Sequence, residues 1–171
     1  MKALFIVAQQ GYQDLEYGVP KQILEQAGVE VVTAAKVRGV ASGKVYTTVA
    51  TLALDEVRVE NYDVVIFIGG LGAVRYQHDA EAHRIVLQTV ALGKLLCAIC
   101  IAPTILAYAG VLKGKNATVW NEDGEQVALF TKLGITYTGN AVTQDGKIIT
   151  ANGPGAARDF GKKIVEVLQR G

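Results

Sequence analysis

Histidine and cysteine are scarce in this chain, with two of each in 171 residues. Two cysteines rule out a disulfide framework and fit a reducing compartment, so the expected location is the cytoplasm. His78 and His83 stand five residues apart, an offset that does not set two ligands on one helical face, and no Cys or carboxylate cluster accompanies them. No metal is therefore expected. Both histidines read as surface residues, with a rim position open to His78 because it follows a glycine loop. Long apolar runs are missing too: nothing approaches the roughly 18 residues of a membrane helix. The opening run, Met1 to Gln9, is too short for a signal-peptide core and reads as a first strand. Asn116-Ala117-Thr118 matches a glycosylation sequon, which has no meaning without secretion.

An excess of one charge is also absent. Lys and Arg number 17 against 16 Asp and Glu, a formal charge of +1, so neither nucleic acid nor an acidic membrane is expected as a partner. Nucleotide loops fail on spacing. Gly70-Leu71-Gly72-Ala73-Val74-Arg75 ends on arginine, and Gly39 to Lys44 and Gly110 to Lys115 are each one residue short of a phosphate loop. Gln9-Gln10 replace the carboxylates that a receiver domain places after its first strand.

What the chain does contain is core. Half of its residues are apolar, and a single domain of this length buries a sizeable interior without cross-links. Strands are expected over 2–8, 29–35, 63–68, 95–99 and 148–151, with shorter extended pieces over 118–120, 135–137 and 141–143. A hairpin arm or edge strand is expected over 44–50. Asp145-Gly146 signals a hairpin. Helices are expected over 14–27, 80–92, 101–109, 125–133 and 156–169, with a weak helix or loop over 55–62. The first helix is apolar at Leu15, Val19, Ile23 and Leu24. Strand, helix and strand within about 35 residues make a parallel βαβ unit. The alternation runs on without linker or repeat. The reading is α/β: one domain over 1–171, a three-layer sandwich with a flavodoxin-like, mostly parallel sheet and helices on both faces.

In such a fold the site lies at the carboxyl ends of the strands. Three of those ends converge: Gly11 to Glu16, Gly69-Gly70, and Cys100. Leu95 to Ile99 reads as a buried strand, and Pro103 announces a helix. Cys100 thus falls on a sharp strand-to-helix turn, a nucleophile elbow, where a helix N-terminus favours thiolate. The competing reading is a small buried hydrophobe. An oxyanion formed by its attack needs donors, which the N–H groups of Gly70 and Ile101 could supply. Glu16 either exchanges protons there or complements the helix dipole. Cys97-Ala98-Ile99-Cys100 is formally C-x-x-C, but along a strand the two cysteines stand about 10 Å apart, beyond disulfide reach. Cys97 reads as core.

Four stretches resemble the DJ-1/PfpI (ThiJ/PfpI) superfamily across essentially the whole chain: Ala98 to Thr104; Gly69-Gly70-Leu71-Gly72-Ala73; Glu16 four residues before Pro20; and Asn152-Gly153-Pro154-Gly155. The resemblance implies that Cys100 is the nucleophile and Glu16 a protonated partner of its thiolate. It also implies no cofactor and a homodimer or higher homo-oligomer. Trp120, Gly69 and Pro154 are expected at the pocket. The family's protease-like branch carries a histidine where this chain has Ile101, and the acidic residue supplied by a neighbouring subunit falls near Val74. Peptidase activity is therefore disfavoured. The implied activity is a glyoxalase or deglycase reaction on a small aldehyde or glycated substrate. The alternatives are a redox-responsive protective or chaperone-like protein using an oxidisable Cys100, and a binding module with a vestigial site.

Overall fold

The computed structural model describes all 171 residues. In chain order the elements are β1 (Lys2–Ile6), β2 (Gln10–Tyr12), α1 (Asp14–Gln26), β3 (Glu30–Ala35), β4 (Gly39–Gly43), β5 (Thr47–Ala50) and β6 (Leu52–Ala53). Then follow β7 (Val64–Phe67), α2 (Ala80–Ala91), β8 (Leu95–Ile99), α3 (Pro103–Tyr108), β9 (Asn116–Ala117) and α4 (Glu125–Lys132). The chain closes with β10 (Thr136–Tyr137), β11 (Val142–Asp145), β12 (Ile148–Ala151) and α5 (Ala157–Arg170).

Seven strands form the main sheet in the order β11-β12-β8-β7-β1-β3-β6. All neighbours are parallel except the β11–β12 hairpin. Strand alternation then sorts the core into two layers. Leu4, Ile6, Val65, Phe67, Leu96 and Ala98 face α2 and α3 through Ile85, Val86, Ile105 and Leu106. Ala3, Phe5, Val64, Ile66, Cys97 and Ile99 face α1 and α5 through Leu24, Phe160 and Ile164. This is the three-layer α/β sandwich that the sequence predicts. From β1 the chain goes first to β3 on one side and later to β7 on the other, so strand order reverses between β1 and β7. A crevice opens at the carboxyl ends of the strands at such a switch point.

Two features depart from the sequence reading. Residues 118–120 form no strand, and the short strand there is β9, paired with β10. The hairpin arm expected over 44–50 is β5, antiparallel to β4, but it belongs to a separate three-stranded sheet, β2-β4-β5, and not to the edge of the main one. Asp14 ties that sheet to α1: its carboxylate accepts from the backbone N–H groups of Lys44, Val45 and Tyr46, each at 3.0 Å. Helix α1 turns a carboxylate inward beside its apolar residues. Leu15 is 55% exposed, whereas Glu16, Tyr17, Pro20 and Leu24 are buried. The close α1–α5 packing makes this orientation favourable, because Gly161 of α5 lies directly against Pro20 and Ile23.

Candidate active site

Cys100 is the only non-glycine residue with a positive φ, +64°. A left-handed conformation is unfavourable for a residue with a Cβ by about 1–2 kcal/mol, and here neighbours on both sides fix it. The Cys100 N–H donates to Ala151 O at the end of β12, and the Cys100 carbonyl accepts from Trp120 N–H, both at 2.9 Å. The resulting turn lifts the thiol out of the sheet.

Glu16 comes from the first turn of α1. Gln13 caps that helix, its side-chain oxygen accepting from the N–H groups of Leu15 and Glu16 at 2.7 and 3.0 Å. The Gln13 N–H in turn donates to Gly69 O at 3.0 Å. Glu16 is fully buried; its Oε2 accepts from Gly69 N–H at 3.0 Å, while Oε1 has no nitrogen or oxygen partner. The carboxyl group lies beside the Cys100 side chain, an added Cβ on Gly69 standing 2.6 Å from both Cys100 Cβ and Glu16 Oε2, and each group bears on the titration of the other. The N–H groups of Gly70 and Ile101 also act on the thiol. One turn therefore gives its first N–H to the carboxylate and its second to the thiol.

The glycines of that turn are sterically required. A Cβ on Gly69 would stand 2.6 Å from both Cys100 Cβ and Glu16 Oε2, and 2.7 Å from Ile99 O. Gly70, at φ +104°, would bring a Cβ within 2.4 Å of Gly11 O.

Burial pushes Glu16 from its usual 4.5 up to about 7, against the hydrogen bonds from Cys100 and Gly69. Burial, then the Glu16 carboxylate, pushes Cys100 up to about 12, and the Gly70 and Ile101 N–H groups act the other way. The elbow position predicts an acidified thiol, and desolvation reverses that direction. The repulsion from Glu16 exists only while Glu16 is ionised. A protonated Glu16 donates to the sulfur instead, so the two groups titrate as a pair around one shared proton.

A cavity of about 1060 Å³ opens over this pair. Cys100, Glu16, Gly70, Ile101, Trp120 and Pro154 all line it, as does Val74. Gly69 does not: it is buried behind Cys100 and Glu16, because its amide serves the carboxylate. No histidine lines the cavity. His83 Nε2 lies 2.6 Å from Gln77 O, and His78 packs at a tilt of 55° against Tyr108, whose ring centroid is 4.3 Å away. Cys97 is buried in the core layer facing α1 and α5, and both cysteines are free thiols. No three His, Cys, Asp or Glu side chains are grouped to hold a metal ion. No helix is long and apolar enough to cross a membrane.

The model of the DJ-1/PfpI family matches residues 1–167. The chain belongs to the DJ-1/PfpI family. It is 29% identical to the deglycase PfpI of Pyrococcus furiosus, over 99% of this chain and 100% of that one. Protein dj-1beta of Drosophila melanogaster is 31% identical, over 98% of this chain and 89% of its own length. Among solved structures, a ThiJ/PfpI domain protein from Brachyspira murdochii superposes with a TM-score of 0.94 at 28% identity, covering 99% of this chain and 96% of that one.

Several cavity residues of this DJ-1/PfpI protein gave no clear signal in the sequence. Gln13 holds a helix cap, yet glutamine is not among the usual capping types. Gln77, Tyr108 and Tyr137 reach the cavity from the segment before α2, from α3 and from β10. The turn 121–125 reaches it only because the Cys100 carbonyl anchors Trp120 beside the elbow. Chemically, the DJ-1/PfpI site offers a sulfur nucleophile, an adjacent group that exchanges protons near neutrality, and two N–H donors.

Proposed function

We propose that the chain is a cysteine-dependent enzyme of the glyoxalase or deglycase type, acting on small reactive carbonyls. The observation that carries this is the Cys100 thiol set beside the buried Glu16 carboxyl beneath a cavity that both line, with the Gly70 and Ile101 N–H groups next to the sulfur. Relatives named deglycases, at 28–31% identity over their whole length, support the same reading. A peptidase reading lacks support, since Ile101 and Val74 offer no base or orienting acid at the cavity.

With methylglyoxal as substrate, the Cys100 thiolate adds to the aldehyde carbon and a C–S bond forms. The oxygen takes the proton from Glu16, giving a hemithioacetal. Charge leaves the sulfur as that bond forms, which frees the Gly70 and Ile101 N–H groups to receive the developing oxyanion two bonds away. The Glu16 carboxylate then removes the remaining hydrogen of that carbon as a proton, the hydroxyl proton passes to the neighbouring carbonyl oxygen through the enediol, and Glu16 returns its proton to the neighbouring carbon. The first carbon is oxidised to a thioester and the second is reduced to an alcohol. Water hydrolyses the thioester to lactate and the free thiol.

Lactate release from methylglyoxal by the full chain tests this. Cys100→Ser is expected to abolish turnover, and Glu16→Gln to lower kcat by at least about a hundredfold, the usual scale for a general acid–base group. Turnover that survives in Glu16→Gln removes the role given to Glu16. A stable Cys100 sulfinate without any turnover favours the redox reading instead.

Self-association is proposed as well. Val40 and Val49 pair across β4 and β5 and are both 61% exposed, and Val45, Tyr46 and Leu15 around the Asp14 anchor are similarly open. A second copy would cover this apolar face. Light scattering should give a mass at least double the 18.2 kDa of one chain, and Val49→Lys should return it to the single-chain value. A native chain that is monomeric at micromolar concentration rejects the proposal.

A further inference from the structure

The cavity over Cys100 carries charge of one sign only. Its walls include four carboxylates, Glu16, Glu122, Asp123 and Glu125, and no lysine, arginine or histidine. Glu122 and Asp123 are exposed on the turn before α4 and Glu125 is exposed at its first residue, and none of the three takes part in an ion pair. Glu16 points to the same preference from the cavity floor. It is fully buried, and its Oε1 has no nitrogen or oxygen donor in the protein. Trp120 and Tyr137 add aromatic faces to the walls.

An anion entering this space would lose water without gaining a charged donor. It would also meet the field of the acidic turn. A cation meets an attractive field and ring faces that accept it. We infer that the cavity selects carbonyl compounds carrying a positive charge, an ammonium or guanidinium group beside the reacting carbon, over anionic ones such as 2-oxo acids or phosphorylated sugars. This rests on the carbonyl reading for the identity of the substrate, while the charge preference itself can be read on Cys100 alone.

The test uses two methanethiosulfonates of similar size, one ending in trimethylammonium and one in sulfonate. The Cys100 thiolate attacks the sulfenyl sulfur, a mixed disulfide forms, and methanesulfinate departs with the bonding pair. Rates at Cys100 are followed by mass spectrometry and divided by those of 2-mercaptoethanol at the same pH, which removes intrinsic reactivity. At low salt the corrected cation-to-anion ratio should exceed unity by about tenfold and should shrink at 1 M salt. In Glu122→Gln/Asp123→Asn/Glu125→Gln, altered only at exposed positions, it should fall to within about twofold of unity. A wild-type ratio near unity, or one that the triple variant leaves unchanged, overturns the inference. Loss of methylglyoxal turnover with the ratio intact removes the carbonyl reading and leaves the charge preference standing. Turnover with a ratio of unity does the reverse.

Discussion

Glu16→Gln is expected to stabilise the folded protein at pH 8 by about 3 kcal/mol while removing catalysis. The folded state holds the Glu16 proton up to about pH 7, whereas an unfolded chain releases it near 4.5. Below 4.5 the carboxyl is protonated in both states and burial carries no ionic penalty. Between 4.5 and 7 the folded state binds the extra proton, so stability falls as pH rises through that window and stays lower above it. A shift of about 2.5 units corresponds to about 3 kcal/mol. Glutamine is neutral throughout, and its carbonyl oxygen can still accept from Gly69 N–H. For a chain of this length that difference moves the thermal midpoint by roughly 6–12 °C. Melts of both proteins at pH 4.5 and pH 8 read it: the midpoints should nearly coincide at the lower pH and separate at the higher. A variant that is equally or less stable at pH 8 would show that Glu16 is an ordinary structural carboxylate.

The same substitution should change the reactivity of the thiol. In the native pair, release of the first proton near pH 7 leaves mainly the Glu16 carboxylate beside the thiol, and the minor tautomer in which the thiolate faces protonated Glu16 grows in with it. Alkylation of Cys100 should therefore rise in a step near pH 7, and Glu16→Gln should replace it with one rise at the thiol's own burial-raised position. Retention of the step in the variant would detach it from Glu16.

How far the sequence disclosed this site depended on where each residue's partners lie. Strand β8 ends at Ile99, as its apolar run and Pro103 indicate, so the elbow at Cys100 was legible from local pattern. The β11–β12 hairpin followed from Asp145-Gly146 in the same way. Glu16 was not legible by periodicity, because a buried carboxylate looks like part of a polar face. Its place at the start of α1 beside the converging strand ends made it a candidate, and the family resemblance favoured the catalytic reading over the helix-dipole one. The small sheet escaped notice because β2 is three residues long and its pairing with β4 crosses α1 and β3. The direction of the Cys100 shift escaped for a related reason. Position along the chain reveals a helix start, whereas desolvation depends on everything packed around the sulfur.

Gly69→Ala puts the largest structural demand on the site for the smallest chemical change, one methyl group. Its φ is not in the left-handed region, so backbone conformation does not forbid alanine. The obstacle is space. The new Cβ would lie 2.6 Å from Cys100 Cβ, 2.6 Å from Glu16 Oε2 and 2.7 Å from Ile99 O. The first is fixed by the left-handed elbow and the last by β8, so neither yields as a flexible side-chain end does. The carboxylate could move, but only by giving up its bond from Gly69 N–H and its contact with the thiol. Overpacking of this kind destabilises by about 1–3 kcal/mol, and more where backbone must shift. Gly69→Ala should therefore lose that stability together with the raised Glu16 titration and the pH 7 alkylation step, because the methyl separates the two groups that share a proton. Gly155→Ala is the matched control, since a Cβ there meets nothing within 4 Å; it should leave stability within about 0.5 kcal/mol. If Gly69→Ala keeps both its midpoint and the step, the close approach of Gly69 to Cys100 and Glu16 does not hold the pair together.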